Sequence, residues 1–112
     1  MHEAVARGEW AIAFDAWKAS PEPERLGLNA DQLLGLGRTA ASQRADAAAR
    51  ALLTQAAADS TGEVQARAKV FLARLLHERF ADAAAAQQLY REVAEAAPDS
   101  EARAFARKML GP

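Results

Sequence analysis

Three cationic side chains share a spacing. Arg38, Arg74 and Lys108 lie 36 and 34 residues apart. Guanidinium and ammonium groups hold carboxylates through charge-assisted hydrogen bonds, so cations recurring on one surface would suit an acidic segment. The competing reading is that these arginines only solvate exposed helix faces. Other chemistry-bearing residues stand alone. His2 and His77 have no second histidine or carboxylate cluster at metal-ligand spacing. A lone His77 beside Glu78 reads as a helix-terminal residue, because a general base needs an orienting partner and a substrate within reach. Ser20, Ser42, Ser60 and Ser100 lack the strained glycine-flanked turn of a serine nucleophile and read as caps and loops. No cysteine is present, which excludes disulfides, thiolate zinc sites and thiol nucleophiles. The expectation is a non-enzyme with no metal and no cofactor.

Those side chains must be carried by helices. Alanine makes up roughly a quarter of the 112 residues, and it is the best helix former because it loses no side-chain entropy on folding. Val and Ile are few, which disfavours strands. Lys plus Arg is 14 and Asp plus Glu 15, a balance without the concentrated positive surface that nucleic acid or an anionic membrane requires. No apolar run reaches the roughly 18 residues that span a bilayer, and Met1-His2-Glu3-Ala4 does not begin a signal peptide. A soluble, cytoplasmic protein is the expectation. The length predicts a single domain over residues 1–112, with a Pro/Gly-rich loop at 20–28.

The pattern of apolar residues predicts all-α structure. After a short helical segment at 2–7 and a turn at Gly8, Trp10, Ala13, Phe14 and Trp17 mark one helical face before Pro21. Asn29 with Gln32 forms a capping box for a helix over 30–43. A break at Arg44–Ala45 precedes a helix to Ala58, with Ala49, Leu52, Leu53 and Ala56 inward. Ser60 with Glu63 predicts a second capping box and a helix to Glu78. The next helix starts near Phe80 or Ala81 and runs to Ala96, with Pro98 as its stop, and a last one, capped by Asp99 or Ser100, carries Ala102, Phe105, Ala106, Met109 and Leu110. Gly35-x-Gly37 falls inside a helix, where glycine costs about 1 kcal/mol; close helix packing is the preferred explanation over a ligand's approach.

The helices repeat. Leu36-Gly37-Arg38 matches Leu72-Ala73-Arg74, and Asp46-Ala47-Ala48-Ala49 matches Asp82-Ala83-Ala84-Ala85, each 36 residues on. Ala68 to Leu76 matches Ala102 to Leu110 at 34, while Asp59-Ser60 and Asp99-Ser100 are 40 apart, which predicts a fifth helix one turn longer than the third. Small residues at Ala13, Ala49 and Ala86, aromatics at Trp17 and Tyr90, the pairs Leu36-Gly37 and Leu72-Ala73, Gly8-Glu9-Trp10 and Pro98 complete a period of two helices. In these features the chain resembles the tetratricopeptide repeat family. Leu53 replaces an aromatic usual there, and Ser60 stands near the usual proline.

The resemblance implies antiparallel helix-turn-helix repeats, five to six helices in a superhelix whose first helices line a concave groove. On it, Arg38, Arg74 and Lys108 would face a bound protein or peptide, acidic in character, with Ser42, Arg67 and Glu78 as neighbours. The function implied is a non-catalytic interaction module or adaptor. The asparagines of the family's carboxylate-binding members are missing. Two alternatives stay open: a self-associating structural domain, as a homodimer or as a piece of a longer array, and a small-molecule sensor, for which no convergent polar set is visible.

Overall fold

The computed structural model describes residues 7–20, 27–96 and 101–111. Among them are six helices and no strand: α1 (Trp10–Ala19), α2 (Ala30–Ser42), α3 (Asp46–Ala58), α4 (Gly62–Arg79), α5 (Ala83–Ala96) and α6 (Glu101–Leu110). Each consecutive pair packs together, and α4 also packs against both α2 and α6. A layer of alternate helices, α2–α4–α6, therefore runs through the protein, while α3 and α5 meet at most marginally. The expected helix at 2–7, the loop residues Pro21 to Leu26, the stop at Pro98 and the cap at Asp99 or Ser100 fall outside the described residues; Arg7 alone is described, in the turn at Gly8.

The apolar faces explain the packing. Leu33, Leu36, Gly37 and Ala40 recur at i, i+3, i+4 and i+7 on α2 and are buried. Ala49, Leu52, Leu53 and Ala56 do the same on α3. α4 buries residues on more than one face, Ala66, Ala68, Val70, Leu72, Ala73, Leu75 and Leu76, because it has neighbours on several sides. Phe14 is the bulkiest fully buried side chain. Ala13, Ala49 and Ala73 are all 0% exposed, as expected of small residues where helices cross closely. Both glycines of Gly35-x-Gly37 are packing positions. A Cβ on Gly35 would lie 2.5 Å from the Trp10 ring, and one on Gly37 would lie 2.8 Å from Leu53.

The caps follow the sequence in one place and depart from it in two. Asn29 Oδ1 accepts from the Gln32 amide and Gln32 Oε1 from the Asn29 amide, both at 2.9 Å, which is the expected capping box. The second box does not form. The Ser60 hydroxyl donates back to the Ala56 carbonyl, and α4 begins instead after Thr61 without a side-chain cap. Gly62, with φ of +66°, turns the chain into α4 between Ser60 and Glu63, so the two side chains cannot close a reciprocal pair. The start of α5 falls two residues beyond Ala81, at Ala83. Ala81 takes a left-handed φ of +53°, and Asp82 Oδ1 accepts from the Ala85 amide at 3.1 Å to cap the helix. The expected extra turn of the fifth helix would lie at its end, which borders residues outside those described. The described α5 has 14 residues against 13 in α3, whereas α4 has 18 against 13 in α2.

Two ion pairs fasten the layers. Arg79, at the end of α4, donates to Asp46 Oδ1 at 2.6 Å and to the Ala41 carbonyl at 3.3 Å, gripping the turn between α2 and α3. Lys69 on α4 donates to Glu92 on α5 at 2.8 Å. That hydrogen bond outweighs the opposing effect of burial and lowers the Glu92 pKa from 4.5. A depressed folded value means this contribution is complete above the unfolded value of 4.5 and is lost as pH falls through the folded one. Glu92→Gln should flatten the acid limb of a pH–stability curve measured by urea unfolding. The effect is small, because the carboxylate is partly exposed and screened by solvent.

Candidate functional site

Two cavities overlap along the α2–α4–α6 layer. One, of about 190 Å³, lies between Arg38, Ala41 and Ser42 of α2 and Phe71, Arg74, Leu75, Glu78 and Arg79 of α4, with Leu53 of α3 also lining it. The other, of about 310 Å³, is lined by Arg38, by Glu63, Arg67, Val70, Phe71 and Arg74 of α4, and by Glu101, Ala102 and Phe105 of α6. The residues common to both are Arg38, Phe71 and Arg74. A third hollow, lined by Trp10, Gly35, Arg38, Thr39 and Ser42, continues the surface toward α1.

Helical spacing explains why these side chains converge. Phe71 and Arg74 are one turn apart on α4, and Arg67 lies one turn before Phe71, so all three share its face. Arg38 comes across from α2 and places its guanidinium 4.6 Å from the centre of the Phe71 ring. Arg74 repeats this contact one helix on, 5.8 Å from the centre of the Phe105 ring on α6. A cation over a ring face is attracted by the ring's quadrupole, worth about 0.5–1 kcal/mol at exposed sites. Arg38, Arg67 and Arg74 are exposed and form no ion pair among the described residues. The acids lie off-centre: Glu78 lines only the first cavity, Glu63 and Glu101 only the second.

Five of the six expected site residues are thus brought together, namely Arg38, Ser42, Arg67, Arg74 and Glu78. Lys108 is exposed on α6, outside these three cavities. Ser42 lines the groove, but its hydroxyl donates to the Thr39 carbonyl at 2.8 Å and is occupied by its own helix end. Phe71 and Phe105 are only partly buried and form ring faces under the arginines. Their 34-residue offset, close to that of the arginines, was the signal available.

Behind the groove, Tyr90 of α5 is 3% exposed and packs against Phe105 with ring centroids 6.1 Å apart. Its hydroxyl is buried without a hydrogen-bond partner among the described residues. Burial raises its pKa; Arg74 acts against this and Glu78 with it, so both groove residues lie within its electrostatic reach. An unsatisfied buried hydroxyl costs stability, and an apolar replacement of the same shape removes that cost. Tyr90→Phe should therefore raise the unfolding free energy by about 1 kcal/mol in urea titrations. A loss of stability would mean the hydroxyl is satisfied in solution.

No group of three or more His, Cys, Asp or Glu that could hold a metal ion occurs among the described residues. His77 is exposed on α4, and His2 is outside the described residues. No helix among the described residues is long and apolar enough to cross a membrane. Compared with protein-family models, with curated proteins and with solved structures, the chain matches none. The function must therefore be argued from the groove.

Proposed function

We propose that this chain is a tetratricopeptide-like, non-catalytic adaptor that binds an acidic protein segment in the groove along α2, α4 and α6. The reading rests above all on the centre of that groove, where the two cavities share only Arg38, Phe71 and Arg74. Exposed guanidiniums without a carboxylate partner are donors for one, and bidentate geometry gives arginine both strength and orientation. Support for the repeat comes from the turns. Three consecutive helix connections, at 43–45, 59–61 and 80–82, have three residues each, a length that joins antiparallel neighbours. Arg44 and Ala81, 37 residues apart, both take left-handed φ values, +62° and +53°. The described residues extend 43 × 27 × 20 Å, the longer-than-wide form of stacked helix pairs.

Arg74→Glu tests the proposal. Partners captured by the wild-type protein and identified by mass spectrometry should be lost from the variant, with affinity for an acidic partner falling at least about tenfold. A matching circular-dichroism melt ensures that the loss is not unfolding. Undiminished capture by both Arg74→Glu and Arg38→Glu would reject the groove.

Self-association is the second reading. Among the described residues, Ile12 on α1 and Met109 on α6 are the exposed large hydrophobics, 59% and 44% accessible, at the two outer helices. Light scattering at two protein concentrations distinguishes it, since a monomer at both rejects it.

A further inference from the structure

Resting on the groove as the binding site, we infer that it reads acidic residues three positions apart in an extended segment, and that Phe71 and Phe105 set this register by holding Arg38 and Arg74. The two arginines are successive equivalents. Each lies over the aromatic ring of the next helix in the layer, at 4.6 and 5.8 Å. Their separation is therefore close to one step of the layer. Helices that pack directly, as α2 does on α4 and α4 on α6, have axes about 8–10 Å apart.

Extended chains offer few ways to match that step. In a β-strand, side chains on one face recur every second residue, at about 6.6 Å, and then at about 13 Å. In a polyproline II segment they recur every third residue, at about 9.3 Å. Of these repeats the one of about 9.3 Å falls within the step of about 8–10 Å between packed helices. A polyproline II segment also leaves its backbone donors and acceptors to water, as a groove lined by side chains requires.

The rings matter because arginine is long and flexible. A free guanidinium would sweep several ångströms and blur a difference of three. Held over Phe71, the Arg38 guanidinium has less freedom to lose when a carboxylate binds. Glu63, Glu78 and Glu101, off-centre in the groove, repel additional charge, so a denser acidic run gains little from its extra carboxylates.

The test uses short fluorescein-labelled peptides with amidated C-termini in a proline–serine background, each carrying two glutamates. They differ only in whether these are adjacent, three apart or five apart, and binding is read by anisotropy. The peptide with three-residue spacing should bind about fivefold or more tighter than the other two. In Phe71→Leu and Phe105→Leu that ratio should fall toward one, and Phe71→Tyr, which keeps a ring, should restore it. Equal binding of all three peptides, abolished by Arg74→Glu, would overturn the register and leave the groove standing. Persistence of the ratio in both leucine variants would overturn the role of the rings. If none of the peptides binds, both this inference and the acidic-segment reading fall. The wild-type comparison decides the register without any variant having to fold.

Discussion

Leu53→Ala should lower the unfolding free energy by about 2–5 kcal/mol, the range for truncating a buried leucine whose cavity cannot collapse. Leu53 is 1% exposed and sits where α3 meets α2. Its Cγ and Cδ2 both lie 2.8 Å from the point a Cβ on Gly37 would occupy. The same contact governs Gly37→Ala. In the wild-type core the added methyl costs about 1–3 kcal/mol of overpacking, against roughly 1 kcal/mol gained in helix propensity, so the net change runs from about neutral to about 2 kcal/mol destabilising. With Leu53→Ala already present the overlap is relieved, and Gly37→Ala becomes stabilising by roughly the propensity difference of 1 kcal/mol. A double-mutant cycle by urea unfolding should show a coupling of about 1–3 kcal/mol. Additivity within about 0.5 kcal/mol would mean that the close approach of α2 and α3 is absent in solution.

Phe14→Ala should act locally and strongly. Phe14 is 0% exposed and stacks on Trp17, with ring centroids 5.9 Å apart. Deleting a buried aromatic costs about 3–5 kcal/mol. The main interface of α1 among the described residues is with α2, so this energy resides largely in one docking contact. Both tryptophans of the chain, Trp10 and Trp17, lie on α1. Tryptophan fluorescence therefore reports the docking of α1, whereas far-ultraviolet circular dichroism reports all the helices. In Phe14→Ala the fluorescence transition should move to much lower urea than the dichroism transition, because a weakly held outer helix can open alone. Coincident transitions would show that α1 unfolds as part of one cooperative unit.

The two largest effects fall on contacts of different legibility. The glycine pair inside α2 was visible as a cost without an obvious return, and close packing was the natural inference. Neither Trp10 nor Leu53 could be named as the neighbour, because the partner of a small residue depends on how two helices cross. The aromatic stripe of α1 is legible as one helical face, of which Phe14 is core while Trp10 and Trp17 are only partly buried. Periodicity finds the face of a helix; how far that face is covered depends on its neighbours.

The turns show the same division. The break at Arg44–Ala45 was legible, yet neither Arg44 nor Ala81 carries the glycine signal of a left-handed residue. Each takes that conformation although it costs an L-residue about 1–2 kcal/mol. Around Arg44 the bond from the Ala45 amide to the Ala40 carbonyl, at 2.9 Å, helps to offset that cost. At Ser60 a capping box was legible, but its hydroxyl bonds the Ala56 carbonyl instead and Gly62 turns the chain with a positive φ.

The sequence by itself determined the helices, their apolar faces and the repeating interval that sets Arg38 and Arg74 apart from the other arginines. Local spacing suffices for these, because a helical period and a repeat offset are properties of the chain. Only the tertiary structure decided that Arg38 lies over Phe71 and Arg74 over Phe105, that the two cavities meet at Arg38, Phe71 and Arg74, and that Lys108 stays outside them. Which side chain of one helix reaches which ring of another depends on crossing angle and separation. These are fixed by the packing of Gly37 on Leu53 and the other small residues in the core, not by residue types in the groove.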